Sequence, residues 1–131
     1  MAIEGMVDAL RRARRWVRPD GCVVDLHPTA TVPTIDVGGR VVGFVETPDG
    51  PARHAAADAA VEDVIRQRLF VRTASSMFDF YTWADSVDEL REHIEESWCD
   101  AGVVVHAAEQ GRARVREQVR AAKLLVAGDL D

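Results

Sequence analysis

The sequence predicts an α+β fold in which about four strands form a mixed or antiparallel sheet and about four helices pack against it. Three observations support this prediction: apolar residues at helical spacing near the N-terminus, a Gly-Gly dipeptide between two β-rich segments, and a capping box before a further helical pattern. No internal repeat or low-complexity linker interrupts the chain. Residues 1–131 are therefore expected to form a single domain.

The spacing of apolar residues predicts four helices. They extend over residues 4–17, 52–69, 86–101 and 107–127. The third begins at a capping box, in which the Ser86 hydroxyl is expected to accept a hydrogen bond from the amide of Glu89, and Gly102 is expected to end it. The apolar stripe of the fourth consists of Val115, Val119, Ala122 and Val126.

Four segments rich in β-branched and aromatic residues predict strands. Residues 22–26 are nearly all apolar, which is typical of a buried strand. Thr34–Val37 and Arg40–Glu46 flank Gly38-Gly39 and predict a β-hairpin, since glycine tolerates the positive φ of a tight turn. Residues 70–83 predict a long strand, in which Phe78 and Phe80 are expected to face the core.

Composition excludes several classes of protein. With 47% hydrophobic and 29% charged residues the chain is too apolar for a disordered protein. Its net charge of −6 argues against nucleic-acid binding, and no segment approaches the roughly 18 apolar residues of a membrane helix. Cys22 and Cys99 form no CxxC pair, and the N-terminal residues do not resemble a signal peptide. A cytoplasmic protein with no cofactor is therefore expected.

The polar residues at the end of the first strand are the best candidates for a site. Asp25 and His27 are two positions apart, so a strand presents both on one face, where they could contact a ligand or form an acid–base pair. Arg72 and Tyr81 on the long strand could line an adjoining pocket for a small molecule. A structural role for Asp25 and His27, and a packing role for the aromatic residues, remain the simpler alternatives. No metal site is predicted.

Residues 9–28 carry a family resemblance. Helix, Pro-Gly turn and strand follow one another here as they do midway through Rossmann-like S-adenosylmethionine-dependent methyltransferases, which the segment resembles. Seven positions match that pattern: Leu10, Ala13, Arg14, Val17, Arg18, Pro19 and Gly21. Asp20 replaces the first glycine of the turn.

The resemblance implies a free-standing C-terminal half of such an enzyme. In that family the Gly-rich cofactor turn and the ribose-binding acid come before this segment, so the chain begins too late to hold either, and Gly38-Gly39 lacks the required context. The expected function is a non-catalytic accessory or binding module that acts as a homodimer or with a partner protein. The alternative is a small enzyme or small-molecule-binding protein with a pocket between sheet and helices.

Overall fold

Regular secondary structure covers most of the computed structural model, which describes residues 3–98 and 100–127. The helices of this part of the chain are α1 (Ile3–Trp16), α2 (Gly50–Arg66) and α3 (Val87–Ser97). Its strands are β1 (Cys22–Pro28), β2 (Thr34–Val37), β3 (Arg40–Glu46), β4 (Phe70–Ala84), β5 (Gly102–Val105) and β6 (Ala113–Val126). The α+β class is thus as predicted.

The predicted four strands and four helices are wrong. Hydrogen bonding links six strands into an antiparallel sheet, and the described residues form three helices. The difference lies at the C-terminus, where β5 and β6 replace the predicted end of the third helix and the whole fourth helix. Gly102 begins a strand instead of ending a helix, since α3 already ends at Ser97.

The pattern of burial in β6 explains this error. Ala113 and Val115, and then Ala122 and Leu124, are buried in pairs two residues apart, which is the period of a strand. The spacing of Val115, Val119, Ala122 and Val126 imitates a helical stripe. Arg, Gln, Ala and Leu also favour helices, but hydrogen bonds to neighbouring strands override that weak preference.

The described residues group into two compact units. Within the described part of the chain, the first consists of residues 3–28, 52–77 and 119–127. In it β1 pairs antiparallel with the end of β6, from Cys22 opposite Leu125 to Pro28 opposite Val119. Helices α1 and α2 pack against these strands through a core of Val7, Ala60, Val61, Val64, Phe70, Ala122 and Leu124.

The second unit consists of Thr29–Pro51 and Phe78–Gln118. Strand β2 pairs antiparallel with β3 and with the start of β6, and β3 pairs antiparallel with β5. Helix α3 packs Leu90 and Ile94 against them. The rest of this core is formed by Ile35, Val42, Val45, Ala113 and Val115.

Two local predictions are confirmed in the second unit. The hairpin of β2 and β3 turns at Gly38 and Gly39, whose φ angles of 58° and 83° lie in the left-handed region. The Ser86 hydroxyl accepts the Glu89 amide at 3.1 Å, so α3 begins with the predicted cap. The Glu89 carboxylate reaches back to the backbone amide of Asp85 at 3.3 Å.

Two predictions of burial are wrong. Strand β1 is not buried on both faces, since Cys22, Val24 and Leu26 are exposed and only the face that carries Val23 packs against the first core. Phe78 and Phe80 of β4 are 42% and 52% exposed instead of facing the core. An apolar pattern identifies a strand, but it does not say whether another element covers each face.

None of the helices among the described residues is both long enough and apolar enough to cross a membrane.

A strand and a helix over residues 113–126 would bury different side chains, so substitutions can distinguish between them. Leu124 lies outside the helical stripe and is fully buried, whereas Val119 lies on the stripe and is only partly buried. We expect Leu124→Ala to lower the free energy of unfolding by about 2–5 kcal/mol, because it leaves a cavity in the first core. Val119→Ala is the control and should cost clearly less. Equal losses in urea denaturation, or a larger loss for Val119→Ala, would contradict the strand.

Candidate functional site

The candidate site lies at the end of β1 in the first unit. The alternation of the strand places Asp25 and His27 on one side, and antiparallel pairing sets His27 opposite Arg120 of β6. Helix α2 supplies a second carboxylate, Asp58, to the same place. Residues from three elements therefore meet around one imidazole.

The imidazole of His27 lies between two carboxylates. Its Nδ1 is 2.6 Å from Oδ2 of Asp25, and its Nε2 is 2.6 Å from Oδ1 of Asp58. Arg120 adds a cation, with NH1 3.7 Å from the same Asp58 oxygen. The His27 side chain is 11% exposed, whereas that of Asp58 is 40% exposed. Asp58 therefore forms the solvent-facing side of this cluster.

Hydrogen-bonding rules restrict the chemistry of this cluster. An ionised carboxylate only accepts hydrogen bonds, so both contacts of His27 form together when each ring nitrogen carries a proton. A general base needs a nitrogen that is free to accept a proton from its substrate. Both nitrogens are occupied here, so His27 links β1 to α2 through its contacts with two carboxylates.

A second histidine stands beside this cluster. His54 lies one helical turn before Asp58 on α2, and its pKa is lowered from the ordinary histidine value. Burial is the largest cause, followed by the charges of His27 and Arg53, while Asp58 acts in the opposite direction. Folding therefore favours the neutral form of His54.

The other two residues predicted for the site have different partners. The guanidinium of Arg72 bonds to Glu62 of α2, so it forms an ion pair within the first unit instead of contacting Asp25 or His27. Tyr81 belongs to the second unit, where its ring lies under the guanidinium of Arg114 at 4.1 Å. Of the four predicted residues, the structure brings Asp25 and His27 into contact.

Sequence reasoning missed Asp58 and Arg120, and it could not place His54 beside Asp25 and His27. A helical pattern across residues 52–69 places positions 54 and 58 on one face, because side chains four residues apart are neighbours on a helix. That spacing could have marked them as a pair. Arg120 could not be found in this way, because its segment was assigned to a helix and its place opposite His27 depends on strand register.

The described residues contain no group of three or more His, Cys, Asp or Glu side chains with the geometry to hold a metal ion. Cys99 lies outside the described residues.

The opposite side of β1 is apolar and open to solvent. Val24 and Leu26 are 59% and 60% exposed, and Val71 of β4, which follows the buried Phe70, is 52% exposed. The register of β1 and β6 sets Leu125, Lys123 and Ala121 beside Cys22, Val24 and Leu26. We call this surface of the first unit the open face. Its residues are Cys22, Val24, Leu26, Val71, Ala121, Lys123 and Leu125.

The low charge of the open face is unusual for a protein surface. Lys123 is the one charged residue among its seven, and three of its aliphatic side chains are more than half exposed. Contiguous exposed apolar surface on a folded protein commonly marks a site of interaction with another protein. The first unit therefore presents two features: a locked polar cluster on one side of β1 and an open apolar face on the other.

Comparison of the chain with protein-family models, curated proteins and solved structures finds no match. The resemblance of residues 9–28 to methyltransferases remains a prediction.

The lowered pKa of His54 predicts how stability depends on pH. The unfolded chain binds a proton at His54 near pH 6.5, whereas the folded chain binds it only at lower pH, so stability is lost as the pH falls below about 6.5. We expect His54→Gln to reduce this loss, measured by urea denaturation between about pH 7.5 and 5. Ala55→Gln adds the same side chain next to His54 and keeps the histidine. Its free energy of unfolding should therefore fall with pH as steeply as that of the wild-type chain. An unchanged slope in His54→Gln would contradict the prediction.

Proposed function

We propose that this protein is a non-catalytic binding module that acts by association with a second copy of itself. The open face of the first unit is the observation that carries this proposal. A sheet with helices on one face and apolar side chains on the other is half of a layered structure, because a sheet buries an apolar face against another layer. A second sheet packed on the open face would complete it.

Burial of the open face would supply a large part of the free energy that association requires. Full burial of a Val or Leu side chain stabilises by about 1.5–3 kcal/mol, and roughly half of that remains for Val24, Leu26 and Val71. A symmetric dimer buries each of them twice, which yields roughly 5–9 kcal/mol. Association costs about 4–15 kcal/mol in lost freedom of motion. Cys22, Ala121 and Leu125 add further apolar contact.

A second copy is the occupant that best fits this surface. Symmetric dimers are the commonest assemblies of soluble proteins, and the cores of their interfaces are depleted of charge, as the open face is. The single ammonium group on Lys123 can extend past the rim to solvent while its aliphatic stem stays in the contact. Within the described chain β1 has β6 as its one strand partner, so its free edge adjoins the same face.

Two features support a non-catalytic role with a methyltransferase-like history. Residues 9–28 adopt the helix, turn and strand that the resemblance implies, and the amide of Gly21 closes the turn on the carbonyl of Arg18 at 2.8 Å. Both nitrogens of His27 are engaged by carboxylates. The alternative of a small enzyme needs Arg72 or Tyr81 beside His27, and these residues bond elsewhere. A cytoplasmic location is part of this proposal.

The first test concerns the oligomeric state. Native mass spectrometry after mild purification should show a dimer, and the double substitution Val24→Lys with Leu26→Lys should shift it to monomer, because four buried ammonium groups would have no partners. The matched control is Val32→Lys with Val41→Lys, which changes two exposed valines of the second unit and should leave the dimer intact. Circular dichroism checks that each variant is folded. A monomeric wild-type chain would contradict the proposal. If a different protein is retained instead of a second copy, self-association is wrong and that protein is the partner.

The second test concerns the cofactor of the family that residues 9–28 resemble. Calorimetric titration of the wild-type chain with S-adenosylmethionine should give no binding heat, since the proposal assigns no cofactor site to this protein. S-adenosylhomocysteine, the same compound without its transferable methyl group, serves as a second probe. Micromolar affinity for either compound would contradict the proposed function.

A further inference from the structure

A shallow cavity of about 480 Å³ lies beside the hairpin turn of the second unit. One wall is the turn itself, where Gly38 and Gly39 have left-handed φ angles and no atom lies within 4 Å of the place a side chain would occupy. Trp83, Arg112 and Arg114 also line the cavity. Backbone and guanidinium groups are thus accessible around one opening.

Arg114 is held firmly where it lines the cavity. Its Nε donates to both carboxylate oxygens of Asp36, at 2.9 and 3.0 Å, and the Asp36 side chain is only 10% exposed. Its guanidinium also lies over the rings of Tyr81 and Trp83, at 4.1 and 5.3 Å from their centres. Contacts to a carboxylate and to two aromatic rings fix the orientation of this guanidinium before any ligand arrives.

Arg112 differs from Arg114 in having no acidic partner. Its guanidinium lies 4.8 Å from the centre of the Trp83 ring, and no carboxylate of the described residues forms an ion pair with it. Stacking on tryptophan restricts a long side chain that would otherwise be free at the surface. Arg112 therefore presents uncompensated positive charge and several N–H donors at the rim of the cavity.

The net charge of the residues around the cavity indicates which type of ligand it binds. Asp36 offsets one of the two guanidinium groups, so Asp36, Arg112 and Arg114 together carry one net positive charge. One negative charge on the ligand balances them. A carboxylate carries that charge, and its two oxygens match the planar fork of a guanidinium, which binds carboxylates through two parallel hydrogen bonds.

We infer that this cavity binds the carboxylate of a small organic acid, with Arg112 as its direct partner and Arg114 as a second, pre-oriented donor. Trp83 is a positioning residue that holds Arg112 in place. The glycines of the hairpin turn leave room for the body of the ligand. The residues of this site belong to the second unit, so the inference does not depend on association through the open face of the first.

The test is a titration of isotopically labelled protein with sodium benzoate at constant ionic strength, followed by nuclear magnetic resonance. Saturable shifts are expected at the indole N–H of Trp83 and the Nε–H of Arg112 and Arg114. Arg112→Gln should weaken binding by about tenfold or more, because it removes a charge-assisted pair of hydrogen bonds. Arg12→Gln changes an exposed arginine of α1 in the first unit and should leave the dissociation constant unchanged.

Three outcomes would overturn the inference. One is the absence of saturable shifts with benzoate, and another is an equal dissociation constant for Arg112→Gln in a variant whose spectrum shows an intact fold. The third is tighter binding of inorganic phosphate than of benzoate, which would assign the cavity to a different anion. The variant with Val24→Lys and Leu26→Lys, which should not dimerise, is expected to bind benzoate with the same dissociation constant as the wild-type chain. Failure of the carboxylate site can therefore be distinguished from failure of the proposed function.

Discussion

The conformation of β6 is the constraint on which the structure depends. This strand supplies Ala113 and Val115 to the core of the second unit and Ala122 and Leu124 to the core of the first. Its backbone groups bond to β1 in one unit and to β2 in the other, and β4 also pairs with it. If these residues formed a helix, each core would lose two buried side chains, and β1 and β2 would lose their shared partner.

The register of β6 against β1 also determines the two faces of the first unit. It brings Arg120 opposite His27 on the polar side and Lys123 opposite Val24 on the apolar side. A shift of one residue would exchange these faces, because side chains alternate along a strand. Helix α2 packs on the side of β1 that carries Val23, where His27 also contacts Asp58, and the other side stays open.

The two units offer different chemistry. In the first, opposite charges are paired around His27 and the remaining exposed surface of the sheet is apolar, which favours contact with protein. In the second, an arginine is anchored by Asp36 while its neighbour in the cavity wall has no acidic partner, which favours an anion. The proposed association and the proposed ligand binding therefore involve different residues and can be tested separately.

The sequence alone determined the features that depend on neighbouring residues. The helix before Pro19, the hairpin at Gly38-Gly39, the cap at Ser86 and the proximity of Asp25 to His27 all follow from local geometry, and the structure has each of them. Tertiary structure alone decided the conformation of residues 113–126, whose composition suits a helix and whose partners lie far away in sequence.

The same distinction applies to the sites. Two positions of a strand identify Asp25 and His27, but Asp58 and Arg120 reach His27 through the packing of α2 and the register of β6. The exposure of Val24 and Leu26 likewise depends on which side of the sheet the helices cover. Local sequence sets backbone preferences and side-chain spacing, whereas the burial and the partners of a side chain depend on contacts between segments that are distant along the chain.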